Sequence, residues 1–239
     1  GGKAVEVPIY AAVSAAAVNE ATDLSNTAIN PSSVTITASE VGVMTTLTDL
    51  ARNSAPRNVA ADIGRLFGEA VAKKQDADLT ALFDGFSVAV GDGSAALTAA
   101  GVFNAASTLR AEALNLNDCA VVLHPKIAFD LKANLTNTFA NPNSGDLQNE
   151  AMRSGFVGSL AGLRIFETSN ISNTGNAGDY KGGAFHRDAI ALAEMQGLKI
   201  ETQRDASLRA DEIVATSVYG VGEIHDSYGV EIHMDSSIQ

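Results

Sequence analysis

AFHRDAIALAEMQGLKIETQRDASLRADEIVATSVYGVGEIHD, residues 184–226, decides the fold class. Over LKIETQ, Leu198, Ile200 and Thr202 alternate with Lys199, Glu201 and Gln203. That period of two is the mark of a strand with two unlike faces. A polar loop follows, and a long extended segment then runs from about Asp211 to His225. A short strand at 230–234 closes the chain. This region is therefore β.

Upstream, LRIFET (163–168) reads as a strand, followed by a Gly/Asn-rich loop from Asn173 to Asp179 and a mixed strand over 183–194. CAVVL (119–123) reads as a buried strand, broken by His124-Pro125, which starts a helix to about Leu135. Residues 136–154 are polar, and Asn141-Pro142-Asn143-Ser144-Gly145 is a strong loop signal. A helix over about Thr98–Leu114 places Val102, Ala106, Leu109 and Ala113 on one face. The clearest helix covers 55–84. Ser54 is its expected N-cap, Pro56 suits its first turn and Gly85 its end. Val59, Ile63, Leu66 and Ala70, then Leu79 and Leu82, recur at helical spacing. On the same helix Ala60, Gly64, Gly68 and Ala72 fall four apart. Two interior glycines cost about 1 kcal/mol each against alanine, which a close-packed second backbone offsets. Near the start, AVEVPIY (4–10) is β-prone, with Pro8 demoting it to an edge. SVTITASEVGVMTTLT (33–48) reads as one extended arm. Between them lie a small apolar run and a polar stretch ending at Asn30-Pro31. The two arms predict a long ribbon, marginal by itself in water. Helices and mainly β segments of this kind make an α+β chain.

Composition excludes several classes. The 239 residues carry a net charge of −12, 46% hydrophobic residues and no tryptophan. A chain this acidic is a poor non-specific nucleic-acid binder, because phosphate contact needs Lys and Arg. There is one cysteine, Cys119, so no intrachain disulfide. There is no signal peptide and no apolar run of about 18 residues, so no membrane span is expected.

Three patterns imitate chemistry. Gly91-Asp92-Gly93-Ser94-Ala95-Ala96 resembles a dinucleotide fingerprint but has Ala at its third glycine position, and no acid follows where a ribose contact requires one. A flexible turn is the simpler reading. The closing Glu223-Ile224-His225 and Glu231-Ile232-His233 put two imidazoles and two carboxylates on one face if 227–229 form a hairpin. A solvated strand face is the simpler reading, and no metal or cofactor is expected. His124 and His186 sit at structural joints, and no nucleophile elbow, zinc motif or P-loop is present.

GFVGSLAGLRIFETSNI (155–171) resembles the Gly-rich strand signature of tailed-phage major capsid proteins. The 184–226 stretch resembles the segment after it, with a His-Arg-Asp-Ala phrase and a Tyr219-Gly220 pair. DCAVVLHPKIAFDLKANL (118–135) resembles that family's strand, His-Pro and helix step. VPIYAAVSAAAV to TLTDLARNS (7–54) resembles its extended loop. The resemblance implies the tailed-phage capsid fold: an extended β-ribbon loop over 1–45, a peripheral domain of 46–88 plus 196–239 with spine helix 55–84, and an axial domain of 89–195. It implies a non-enzymatic coat protein that self-assembles into the icosahedral head shell around double-stranded DNA, in the virion after assembly in a bacterial cytoplasm. Partners would be many copies of itself as pentamers and hexamers, with possible scaffold, portal and decoration proteins. DNA would be enclosed without sequence-specific binding, and no membrane is involved. Candidate interface residues are Pro8, Tyr10, Asn30, Pro31, Gly64, Gly68, Asn141, Pro142 and Asn143. The family's arm before the ribbon has little counterpart ahead of Lys3, as expected of a processed or trimmed chain. The same fold serves encapsulin-like nanocompartments, the alternative reading. An enzyme built on 86–124 or 223–235 is the third.

Overall fold

The computed structural model describes residues 2–10, 13–15, 17–20, 23, 26–54, 58–138, 159–174, 176 and 178–238. In chain order the elements are β1 (Ala4–Ile9), β2 (Ser32–Thr37), β3 (Ser39–Thr48), α1 (Asp49–Ser54) and α2 (Val59–Ala81), then a 3-10 turn Leu82–Gly85. They continue with β4 (Ala89–Val90), α3 (Ala99–Ala111), β5 (Cys119–Leu123), α4 (Pro125–Thr138), β6 (Ser159–Leu160) and β7 (Leu163–Glu167). The last four are β8 (Asp179–His186), β9 (Ile190–Asp205), β10 (Ala210–Glu223) and β11 (Gly229–Asp235).

The strands form three sheets: a β1-β2 ribbon, a three-stranded sheet in the order β3-β10-β9, and a six-stranded sheet in the order β4-β11-β8-β5-β7-β6. The six-stranded sheet is mixed, with β5 parallel to β7 and β4 parallel to β11. Helices α3 and α4 pack on it. Val102, Leu109, Leu131, Val121, Leu123 and Leu163 in that core are wholly buried. Each buried side chain of that size contributes about 1.5–3 kcal/mol. The buried-strand reading of CAVVL holds: Cys119, Val121 and Leu123 point into the core, and Ala120 and Val122 are half-buried.

The second unit is thinner. Helix α2 lies on the three-stranded sheet, and a small cluster of Leu47, Phe67, Ile213 and Ala215 joins them. The helix begins at Val59, and its N-cap is Asn58, whose side chain accepts from Ala61 N at 3.4 Å. Ser54 instead ends α1, donating to Leu50 O at 2.7 Å. Pro56 lies outside the described residues. The inward stripe is Val59, Ile63, Phe67 and Val71, while Leu66 and Ala70 are exposed. Strict steps of four bring these residues over Leu47 and Ile213; the expected step from Ile63 to Leu66 turns toward solvent.

Three further expectations change. The 33–48 arm is divided at Ala38, whose N–H donates to Lys3 O at 2.7 Å. The first half pairs with β1, and the second joins β10. The alternation over LKIETQ does not sort burial, because Leu198 and Ile200 are 45% and 46% exposed. β9 is an edge strand, paired on one side by β10. Finally, β10 and β11 do not form a hairpin. A 3-10 turn at Asp226–Tyr228 carries the chain into the six-stranded sheet, where β11 lies between β4 and β8. Ile224 therefore does not face Ile232: Glu223 ends β10 of the three-stranded sheet, Ile224 and His225 follow it, and Glu231-Ile232-His233 lies in β11 of the six-stranded sheet.

Candidate subunit-interface surfaces

The ribbon register pairs Val5 with Ile36, Val7 with Val34 and Ile9 with Ser32. Directly opposed residues share a face, so Val5, Val7, Ile9, Val34 and Ile36 make one apolar side. On that side Ile36 is buried, Val7, Ile9 and Val34 are half-buried and Val5 is exposed. Ile36, 3% exposed, sits on β10 where side chains are missing: a Cβ on Gly220 would meet Thr37 O at 2.5 Å, and one on Gly222 would meet Ile36 Cγ1 at 2.8 Å. Val5, directly opposite Ile36, and Tyr10, past the end of β1, are 51% and 64% exposed. Pro8, opposite Ser33, is exposed, as are Asn30 and Pro31. Two strands of six residues extend about 20 Å, and in that length Ile36 alone is fully buried.

The small-residue stripe of α2 is the second uncovered surface. Around the position a Gly64 Cβ would take there is no atom within 4 Å, and around that of Gly68 only Leu198 Cδ2, at 3.9 Å. Ala60 and Ala72 are exposed. The glycines are therefore not required by any contact within the subunit. Asn141, Pro142 and Asn143 lie outside the described residues.

A third surface escaped sequence reading. At the far end of the three-stranded sheet, Arg204 grips Asp49 with both nitrogens, Nη1 to Oδ1 at 2.7 Å and Nη2 to Oδ2 at 2.5 Å. It also reaches Asp211 at 3.3 Å, and Arg52 pairs with Asp211 from α1. The Arg204 hydrogen bonds hold the Asp49 carboxyl below its ordinary range. Asp205 caps the adjoining turn, accepting from Ser207 N at 2.9 Å and Leu208 N at 3.1 Å. This frame leaves Leu50 and Leu208 80% and 58% exposed. The partners are 155 residues apart, so no local pattern announces them.

The residues that imitate chemistry have structural work. Gly91 and Gly93 have φ of +86° and +74°, and Gly93 N donates to His233 O at 3.0 Å. The loop thus locks against β11. His124 stacks on Tyr180 at 3.7 Å, and its Nδ1 accepts from Lys126 N at 3.3 Å, capping α4. Burial pushes its pKa down, which keeps the ring neutral for that role. His233 Nε2 lies 2.6 Å from Asp179 Oδ1. Burial pushes the Cys119 thiol up, away from a reactive thiolate. Among the described residues, no group of three or more His, Cys, Asp and Glu is placed to hold a metal ion. No helix there is long and apolar enough to cross a membrane.

A family model described as phage capsid protein matches residues 31–230. No curated protein sequence matches. Among solved structures, the chain is similar to one from Mycobacterium phage Che8. The two are 26% identical over 97% of this chain and 85% of the other, with a TM-score of 0.77. The head structure of Helicobacter pylori bacteriophage KHP40 is 12% identical over 98% and 85%, with a TM-score of 0.78. The SrpI encapsulin complex from Synechococcus elongatus is 13% identical over 87% and 79%, with a TM-score of 0.67.

Proposed function

Because this chain belongs to the phage capsid protein family, we propose that its uncovered surfaces are the contacts through which it closes a shell. It is a major capsid protein, a structural subunit of a phage head. One observation carries this reading: the family match spans 31–230, which takes in the spine helix, the three-stranded sheet and all of the six-stranded sheet but most of β11. The encapsulin alternative rests on the SrpI likeness, which covers less of the chain at a lower TM-score than the phage heads above.

In the proposed arrangement the ribbon is the extended loop. Its apolar face crosses an adjacent copy, with Pro8, Tyr10, Asn30 and Pro31 along it. Gly64 and Gly68 open α2 to the close approach of another backbone. The unit built on α2 and the three-stranded sheet is peripheral. The six-stranded unit is axial and gathers about five-fold and six-fold axes, with the 141–143 loop near them. Asn141, Pro142 and Asn143 would then touch neighbouring copies. Weak contacts of this kind suffice because a closed symmetric shell repeats each one. The net charge of −12 suits a wall that encloses double-stranded DNA without adhering to it. Scaffold, portal and decoration proteins are the expected partners, host cytoplasm the expected place of assembly, and no turnover is expected.

Electron microscopy of the purified protein tests this. Closed shells are expected, filled with DNA when made during infection. A soluble monomer or dimer that turns over a substrate overturns the reading; shells holding cargo protein move it to the encapsulin class.

A further inference from the structure

The two larger sheets end differently. The six-stranded sheet is bounded by β4 and β6, each two residues long, so little backbone is open there. The three-stranded sheet is bounded by β3 and by β9, which is 16 residues long and contains no proline. Among the described residues β10 is the only strand paired with β9. From Glu194 to Arg204 every β9 residue is exposed. The ladder to β10 slips around Gly197 and is regular from Lys199 to Asp205. A long open edge of this kind presents backbone N–H and C=O groups to a further strand.

The side chains on this edge specify which strand. Ile200 lies opposite Ala215 on the α2 face, and on that face a Cβ on Gly68 would lie 3.9 Å from Leu198 Cδ2. Both apolar side chains are almost half exposed. Lys199 and Glu201 share the other face, Nζ to Oε1 at 2.6 Å. An antiparallel pair of identical strands has its two-fold axis normal to the sheet. That axis keeps each face on its own side, so the centre is a residue meeting its own copy. A centre at Ile200 sets Ile200 against Ile200, Leu198 against Thr202, and Lys199 against Glu201 twice over. Opposite charges and apolar pairs directly across a ladder stabilise it, and like charges do the reverse. Neighbouring centres fail. At Lys199 or Glu201 a charge meets its own copy. A centre at Leu198 sets Ile200 against Gln196, and one at Thr202 sets it against Arg204, which Asp49 already holds. The β3 edge offers no such match, since Glu40 is its one charged residue.

We propose that β9 pairs antiparallel with β9 of a second copy about a two-fold axis at Ile200, joining two three-stranded sheets into one of six. The strand order is then β3-β10-β9-β9-β10-β3, with α2 of both copies on the same face. The new ladder runs from Leu198 to Thr202 in each copy. The alternation over LKIETQ, which sorts no burial within one subunit, sorts it across the pair. The proposal rests on the shell-building reading, because a closed shell is where copies meet across two-fold axes.

Cysteine substitution in assembled particles tests it. Cα atoms directly opposite in an antiparallel ladder lie about 4.5–5.5 Å apart, within disulfide range. With the axis at Ile200, Thr202 and its copy lie roughly 14 Å apart, beyond that range. Under mild oxidation, Ile200→Cys shells are expected to run as covalent dimers on a non-reducing gel. Thr202→Cys shells, and wild-type shells with their buried Cys119, are expected to stay monomeric. Adding Lys199→Glu to Ile200→Cys is expected to cut the dimer yield several-fold, and adding Glu201→Lys as well to restore it. Closed shells in which Ile200→Cys stays monomeric, dimers from Thr202→Cys instead, or a dimer yield indifferent to Lys199→Glu overturn the pairing and leave the shell-building reading intact. Wild-type protein that forms no shell overturns that reading and the pairing with it.

Discussion

The two halves of the molecule bury apolar surface in opposite ways. The six-stranded unit covers most of its apolar residues: Val102, Leu109, Val121, Leu131, Leu163 and Val230 have no solvent exposure, although Phe103, Phe129 and Phe166 remain 49%, 48% and 52% exposed. The three-stranded unit and its ribbon do not. There Val5, Met44, Leu50, Leu66, Leu198, Ile200 and Leu208 each remain at least 45% exposed. Isolated exposed leucines are ordinary, but this many in one thin unit, beside an open ribbon, make a candidate surface for other chains. One half holds most of the core, and the other leaves more of its apolar surface open.

Four experiments bear on that contrast. The largest effect is expected from deleting residues 11–30. Shell assembly should be lost in sedimentation and microscopy, while circular dichroism and the unfolding midpoint stay near wild type. A deletion that unfolds the subunit would place the ribbon in the core and erase the contrast. Next is Leu131→Ala in the self-contained half. It should cost about 3 kcal/mol in urea unfolding, since a wholly buried leucine leaves a cavity when cut back. A loss under about 1 kcal/mol would mean that core is loosely packed.

Gly64→Leu with Gly68→Leu sharpens the contrast further, because its two effects have opposite signs. Both sites have room within the subunit, and leucine is the better helix former by roughly 0.8 kcal/mol per site. The subunit should melt at the same or a higher temperature while assembly fails. Normal shells from the double variant would show that the stripe faces nothing.

The smallest effect is expected at Tyr219, which joins the sheet to α2 by donating to Asp78 Oδ2 at 2.8 Å. Tyr219→Phe should cost about 1 kcal/mol. Burial, and then Asp78, push the phenol pKa up to about 12. Its stabilisation is therefore full below the ordinary tyrosine range and lost as pH rises toward that value. A pH titration of wild type against Phe variant should show their difference in stability vanish above it.

Legibility in the sequence follows the same division. Elements of the self-contained half were plain, because CAVVL and the 99–111 helix carry patterns that their own core enforces. The α2 face was misjudged by one step, and LKIETQ promised a burial it lacks. In both places the sheet is too narrow, or the partner too distant, for periodicity to report what lies opposite. The candidate interface residues divide likewise. Pro8, Tyr10, Asn30, Pro31, Gly64 and Gly68 could be nominated from local composition. The Arg204, Asp49, Arg52 and Asp211 frame could not, since it joins the β9–β10 turn to α1, 155 residues away.

The sequence by itself determined the order and kind of the elements, the family they resemble and the acidity of the surface, because propensity, punctuation and charge are local properties. Only the tertiary structure decided where 33–48 divides, that β11 crosses into the six-stranded sheet, and that β9 keeps an open edge. Those depend on which strand edge is free and which face is already filled, and such competition is settled between segments far apart in the chain.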